Sequence, residues 1–245
     1  MKILDLLNNK QKQIAILIDP DKHNSESKLI DLIQKINLLN PAFIFIGGST
    51  VNAVDFKFCF SILKQNTKIP LVIFPGSHVQ IDEKADAILF LSLISGRNPD
   101  FLIGHQVESA HKLKQLDIEV IPTAYMLIDG GKNSSVAYVS QTSPIPSDQI
   151  SIAVNTAIAG ELMGMKTVFM DAGSGAITSV SLDMIKEVSQ NICVPLLIGG
   201  GLKTIQDIEN TLNAGANVAV IGNKIEENID FLLDLMNLNQ TKIDK

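Results

Sequence analysis

Short apolar runs recur along this chain, and most give way to glycine or to an acidic residue with polar neighbours. Eight of them predict strands over 13–19, 43–47, 71–75, 87–91, 119–127, 167–171, 195–199 and 218–222. Most are continuous rather than alternating, as strands covered on both faces should be. Between many of them, apolar positions recur three and four apart. The stretch 25–39 carries Leu29, Leu32, Ile33, Ile36 and Leu39 on one stripe, and 148–163 is apolar at Ile150, Val154, Ala157, Ile158 and Leu162. Both read as helices with one buried face, as do the shorter 181–190 and 204–214. Strands alternating with helices predict a parallel sheet. Eight repeats in 245 residues suit a single α/β domain spanning 1–245, a (β/α)8 TIM barrel, with an open doubly wound sheet as the rival. One gap is irregular: only 76–85 separates the third strand from the fourth, too little for a helix and both its loops.

Composition narrows the picture. Hydrophobic residues make up 46% and aromatics 5%, with no Trp, so the core is expected to rest mainly on Ile, Leu, Val and Ala. The net charge is −6 and no basic cluster stands out, which argues against nucleic acid as a partner. No apolar run approaches the ~20 residues of a transmembrane helix. Residues 1–9 lack the apolar region and small-residue cleavage site of a secretory signal. The expectation is a cytoplasmic protein, with peripheral contact to a membrane left open. Cys59 and Cys193 lie in apolar surroundings and are expected as buried free thiols. The segment 129–146, rich in Gly, Ser, Thr and Pro, is the longest polar stretch; the strand–helix rhythm continues on both sides, so it reads as an active-site loop.

The candidate chemistry lies at the strand ends. Phe169-Met170-Asp171-Ala172-Gly173-Ser174-Gly175, Gly199-Gly200-Gly201 and Gly222-Asn223 close the last three strands. Glycine lets backbone N–H groups approach an anion closely, and barrels commonly hold a phosphate after their last strands. Asp171 beside such a phosphate can accept a proton from a substrate hydroxyl; it also suits a cap for the following turn. The first strand ends Asp19-Pro20-Asp21-Lys22 and the second Gly47-Gly48-Ser49-Thr50. Asp19 with the Ser49 hydroxyl offers hard oxygen ligands for Mg²⁺ shared with a phosphate. Alternatively Asp19 caps a turn, and Ser49 or Thr50 caps the next helix. His78, after the third strand, and Tyr125, near the end of the fifth, are candidate pocket residues. Arg97 suits a diphosphate or an ordinary surface position. The four histidines show no metal-ligand spacing.

Taken together, Asp19-Pro20-Asp21-Lys22, Gly47-Gly48-Ser49-Thr50, Phe74-Pro75-Gly76-Ser77, the tract 91–99, Ile128-Asp129-Gly130-Gly131 and the three late glycine segments run in order over nearly the whole chain. In this the chain resembles the geranylgeranylglyceryl phosphate synthases and their bacterial heptaprenylglyceryl phosphate relatives. The tracts 91–99 and 128–131 look like the geranylgeranyl-type branch. The resemblance implies a modified barrel whose third helix is replaced by an irregular segment. It implies a homo-oligomeric, Mg²⁺-dependent prenyltransferase of lipid biosynthesis, joining sn-glycerol 1-phosphate to a polyprenyl diphosphate. By the same resemblance Asp19 and Ser49 hold Mg²⁺. Phe169, Met170, Asp171, Ala172, Gly173, Ser174, Gly175, Gly200, Gly201, Gly222 and Asn223 hold the glycerol phosphate. The family's sixth-strand motif usually opens with tyrosine and has glutamate in third place, where this chain has Phe169 and Asp171. Two other readings stand beside this one. A sugar-phosphate isomerase or aldolase usually wants a lysine or a second carboxylate in the barrel, and these apolar runs contain no lysine. A non-catalytic phosphate or lipid binder would keep the scaffold without the reaction.

Overall fold

Eight strands pair in chain order, each parallel to the next, and the last returns to the first to close a barrel. They are β1 (Gln13–Ile18), β2 (Phe43–Ile46), β3 (Leu71–Ile73), β4 (Ala87–Leu93), β5 (Glu119–Leu127), β6 (Thr167–Asp171), β7 (Leu196–Gly199) and β8 (Val218–Ile221). The computed structural model describes residues 2–9, 12–228 and 230–236. All eight predicted strands form, with ends shifted by a few residues. β1 stops at Ile18 because Asp19 turns the chain into a single 3₁₀ turn. β4 runs on to Leu93, carried by its ladder to β5 through Leu93 opposite Tyr125.

The helices are α1 (Ile3–Leu7), α2 (Glu26–Leu39), α3 (Ala53–Asn66), α4 (His105–Gln115), α5 (Ser135–Ser140), α6 (Ile150–Leu162), α7 (Leu182–Asn191), α8 (Ile205–Asn213) and α9 (Asn223–Glu227). α3 joins those read from periodicity, with Phe56, Cys59, Phe60 and Leu63 recurring on its buried face. Among the described residues, no helix is long and apolar enough to cross a membrane. Two further helix starts carry their caps in the sequence: Ser181 accepts from Met184 N, and Thr204 with Asp207 forms a capping box.

Three apolar clusters follow from strand alternation. Inward-facing residues, among them Phe43, Phe45, Leu89, Tyr125, Phe169 and Val220, fill the barrel itself. Outward-facing residues of β1–β3 and β8 pack under α2, α3 and α8. Those of β5, β6 and β7 pack under α6 and α7. Several of the aromatics meet in the bore. Phe74, Tyr125 and Phe169 meet pairwise with ring centroids 5.0–5.8 Å apart, and Phe45 lies 6.3 Å below Phe169. The rest of the core is mainly Ile, Leu, Val and Ala, as composition predicts.

No helix forms over 76–85, as the short gap predicts. The segment is pinned instead. A Cβ on Gly76 would lie 2.1 Å from Gly48 O, so only glycine permits this approach. The wholly buried Gln80 accepts from Gly76 N at 3.1 Å and donates to Gly48 O and Val51 O at 2.9 and 3.1 Å.

The stretch 129–146 carries α5, whose N-terminus Ser134 caps, is closed by an Ile128–Ile145 bridge, and brings Val136 and Val139 to the mouth of the barrel, as an active-site loop should. One expectation needs correction. Cys193 is exposed, because the apolar residues around it belong to the ends of α7 and β7 and leave the loop between them outside; Cys59 is buried as expected.

Candidate functional site

The carboxyl ends of the strands open on two cavities that meet. The wider, about 1680 Å³ with its open mouth, lies over β1, β2 and β6–β8. The narrower, about 750 Å³, runs outward over β3 and β4 to α4. Gly48, Ser49, Phe74, Tyr125 and Val136 line both and mark the junction.

The wider cavity is walled by the late glycine loops. Gly200 has φ 80°, and a Cβ there would meet Gly173 N at 2.7 Å and Asp171 Oδ1 at 2.8 Å. The β7 loop therefore folds tightly over the β6 loop only because this residue has no side chain. Ser174 Oγ bonds Asn223 Oδ1 at 2.9 Å, tying the β6 loop to the start of α9. Lys22, Lys203 and Lys224 bring cations to the same wall. Lys203 donates to Ile177 O at 2.9 Å, and the Lys224 ammonium sits 6.0 Å from the Phe231 ring centroid. Sequence reading gave Lys203 no role; its place just after the Gly199–Gly201 turn was the available signal.

Alternation along β6 turns Phe169 and Asp171 inward and Met170 outward. Asp171 is held at both oxygens: Gly173 N donates to Oδ1 at 2.7 Å, and Tyr125 Oη donates to Oδ2 at 2.7 Å. The turn-cap and cavity roles thus coexist in one side chain, since a carboxylate has about four lone-pair positions and two remain. Burial pushes the Asp171 carboxyl above its ordinary range, while the bonds from Tyr125 and Gly173 pull it back down. Burial likewise pushes the Tyr125 phenol well up, and the neighbouring carboxylate adds to this, so Tyr125 remains a proton donor to Asp171. Tyr125 stands opposite Phe169 in the β5–β6 ladder. The hydroxyl beside the acid thus comes from β5 rather than from position 169.

Asp19 caps the 3₁₀ turn, accepting from Asp21 N at 3.3 Å, and its other oxygen lies 3.8 Å from Lys22 Nζ. It also leans over the β2 loop, where a Cβ on Gly48 would sit 2.8 Å from Oδ1. Ser49 and Thr50 are not helix caps; Asn52 caps α3, accepting from Val54 N and Asp55 N. Thr50 Oγ1 instead donates to Asp21 Oδ2 at 2.6 Å. Asp19, Asp21, Ser49 and Thr50 therefore present an oxygen-only donor set to the wider cavity, a set that suits a hard cation such as Mg²⁺.

The narrower cavity is lined largely by apolar side chains, among them Ile81, Leu89, Leu91, Phe101 and Val139. Phe101 comes from a single π-helical turn, Asp100–Gly104, that leads into α4. Of the remaining sequence candidates, Ser174, Gly175, Gly201, Gly222 and Asn223 line the wider cavity with Phe169, Asp171 and Gly200. Met170 and Ala172 instead pack in the cluster under α6 and α7, and Gly173 acts through its N–H to Asp171. His78 lines the apolar groove. Arg97 is exposed and donates to Gly96 O and Ile94 O of its own loop.

With this geometry in place, comparison decides the family. The model of the PcrB family matches residues 7–239. The chain belongs to the PcrB family. It is 46% identical over 230 residues to a geranylgeranylglyceryl phosphate synthase of Flavobacterium johnsoniae, covering 94% of each chain. It is 32% identical over 233 residues to one of Methanosphaera stadtmanae, covering 94% of this chain and 95% of that one. Among solved structures, (S)-3-O-geranylgeranylglyceryl phosphate synthase from Thermoplasma acidophilum, in complex with its substrate sn-glycerol-1-phosphate, superposes with a TM-score of 0.90. The two share 31% identity, with 96% of each chain covered. This PcrB-family chain thus keeps the barrel and spans nearly the whole length of these relatives.

Proposed function

We propose that this chain joins sn-glycerol 1-phosphate to geranylgeranyl diphosphate, forming geranylgeranylglyceryl phosphate and releasing diphosphate. One observation carries the reading. A cavity built for an anion and a groove built for an apolar chain meet beside a buried carboxylate. A solved relative binds sn-glycerol-1-phosphate as its substrate, and the geranylgeranylglyceryl phosphate that the relatives make supports a geranylgeranyl donor. The groove's largely apolar lining suits an isoprenoid tail.

The glycerol phosphate sits against the β6–β8 loops, where backbone N–H groups, Lys203 and Lys224 meet its charge. Of its two free hydroxyls, the terminal one on C3 then points toward Asp171. The hydroxyl oxygen bonds to the prenyl C1, the bond from C1 to the diphosphate oxygen breaks, and the electron pair leaves with the diphosphate. Asp171 takes the hydroxyl proton. Its burial suits this task, because a carboxylate short of solvation is the stronger base. Tyr125 and Gly173 position the carboxylate and take one lone pair on each oxygen, leaving the remaining two to substrate. The donor's diphosphate lies near the junction, with its tail in the groove over β4. Asp19 and Ser49 would hold Mg²⁺, which supplies neutralising charge to the departing diphosphate.

The direct test combines the purified chain, Mg²⁺ and sn-glycerol 1-phosphate with farnesyl, geranylgeranyl and heptaprenyl diphosphates in turn, with products identified by mass. The expected result is an ether formed best from the geranylgeranyl donor and lost on chelation of Mg²⁺. Glycerol phosphate binding without ether from any donor overturns the reading.

A further inference from the structure

Two imidazoles and a carboxylate converge on the outer rim of the apolar groove. His78 comes from the pinned segment 76–85, His105 is the first residue of α4, and Glu108 lies one turn further along the same helix. His78 Nδ1 lies 2.7 Å from Glu108 Oε2, and His105 Nδ1 lies 3.4 Å from that same oxygen. One ligand atom from each residue falls within 4.8 Å of the other two. The two rings are tilted by 32° with centroids 5.8 Å apart. Among the described residues this is the one cluster of three such groups. The spacing of the histidines along the chain hides it, because His78 and His105 belong to different elements.

Two imidazole nitrogens directed at a single carboxylate oxygen form an arrangement that a divalent cation can complete. In a tetrahedral site with bonds of about 2.0–2.2 Å, neighbouring ligand atoms lie roughly 3.4 Å apart. The His105–Glu108 separation already matches this. The His78–Glu108 separation has to open by less than 1 Å, and both of those side chains are exposed and free to adjust. Three protein ligands leave a fourth position for water. Imidazole donors suit zinc and its neighbours in the transition series, whereas Mg²⁺ prefers oxygen. The cluster is therefore chemically distinct from the oxygen set around Asp19.

We propose that His78, His105 and Glu108 form a zinc-type divalent cation site that staples segment 76–85 to α4. Across this seam Lys112 Nζ also donates to Ile81 O at 3.4 Å. His78 and His105 both line the groove, and Phe101 packs edge-on against His105 at 4.9 Å. An ion here fixes the rim of the groove where the third helix of the barrel is missing. The site does not depend on the reaction proposed above, since the ion binds without either substrate.

The test uses untagged, metal-stripped full-length protein carrying Cys193→Ser, so that the exposed thiol does not compete. Zn²⁺ alone is titrated against a chromogenic chelator, with excess Mg²⁺ present in one arm. The expected result is one Zn²⁺ per chain, unaffected by Mg²⁺. His105→Ala and Glu108→Gln each weaken it at least tenfold, while His111→Ala, a further histidine on α4, leaves it unchanged. Amide exchange over 76–85 slows on adding Zn²⁺ in the parent and not in His105→Ala. Circular dichroism checks that each variant folds. Zn²⁺ bound equally well by the double variant His78→Ala/His105→Ala, or not bound by the parent, overturns the site. Binding without slower exchange over 76–85 overturns the staple.

Discussion

The two sides of the barrel mouth are built in opposite ways. Over β6–β8, backbone carries the site: tight glycine loops, fixed by Ser174–Asn223 between the β6 and β8 loops and by Asp171–Gly173 within the β6 loop, present N–H groups in fixed directions. Over β3 and β4, side chains carry it. The helix that would cover this side is missing, and a pinned segment with α4 leaves an open apolar groove. A charged, compact ligand needs donors at set positions, while a long apolar one needs only a surface that excludes water. The junction residues Ser49, Phe74 and Tyr125 are where these two demands meet.

Substitutions on the two sides should therefore separate. The largest effect is expected at the carboxylate that both ligands reach. Asp171→Asn should lower kcat by about 10²–10⁴ while glycerol phosphate affinity, measured by calorimetry, changes little. Unchanged turnover would remove Asp171 as the base. On the backbone side, Gly200→Ala forces a side chain into a left-handed position against Gly173 N. Strain of about 1–3 kcal/mol should appear mainly as a higher KM for glycerol phosphate, with the KM of the prenyl donor nearly constant. On the groove side, Phe101→Asp should do the reverse, raising the donor's KM about tenfold through lost apolar contact. If both variants moved both constants equally, the division into a rigid and an adaptable side would fail.

A subtler expectation concerns pH. Asp171 works as a base only when ionised, so activity falls as pH drops through its pKa. Burial raises that pKa, which places the acid limb of kcat above the range of a solvated carboxylate. The Tyr125 hydroxyl pulls it down, so Tyr125→Phe should move the limb to higher pH. A limb that stays in place would separate Tyr125 from the titrating group. The smallest effect is a labelling one. Burial pushes the Cys59 thiol up to about 12, so a thiol reagent should modify Cys193 alone in the native protein and both cysteines after unfolding.

What the amino-acid sequence made legible shares a physical origin. Each strand, the missing third helix and Asp171 at the end of β6 are properties of one contiguous segment, where periodicity, a short gap or a glycine run is its own evidence. What it hid depends on neighbours. Tyr125 reaches Asp171 only because β5 and β6 pair with Leu127 opposite Asp171, a register that no local pattern states. His78 meets Glu108 across 30 positions for the same reason. Met170 could be set apart from Phe169 and Asp171 only once the inward face of β6 was known. Cys193 shows the converse, since an apolar neighbourhood in sequence became a loop on the outside.

α1 adds one more consequence. Ile3 and Leu7 are buried with the residues of the bore, and Leu6 O accepts from the Gln13 side chain at 2.6 Å, so this short helix stops the end of the barrel opposite the mouth. Its first N–H groups have their partner 116 residues later, in the carboxylate of Glu119 at the start of β5. During synthesis α1 can therefore find its seat only after more than half of the barrel's strands have been made. Until then the ribosome carries a nascent sheet open at both ends, and the stopper that closes it waits near the front of the chain.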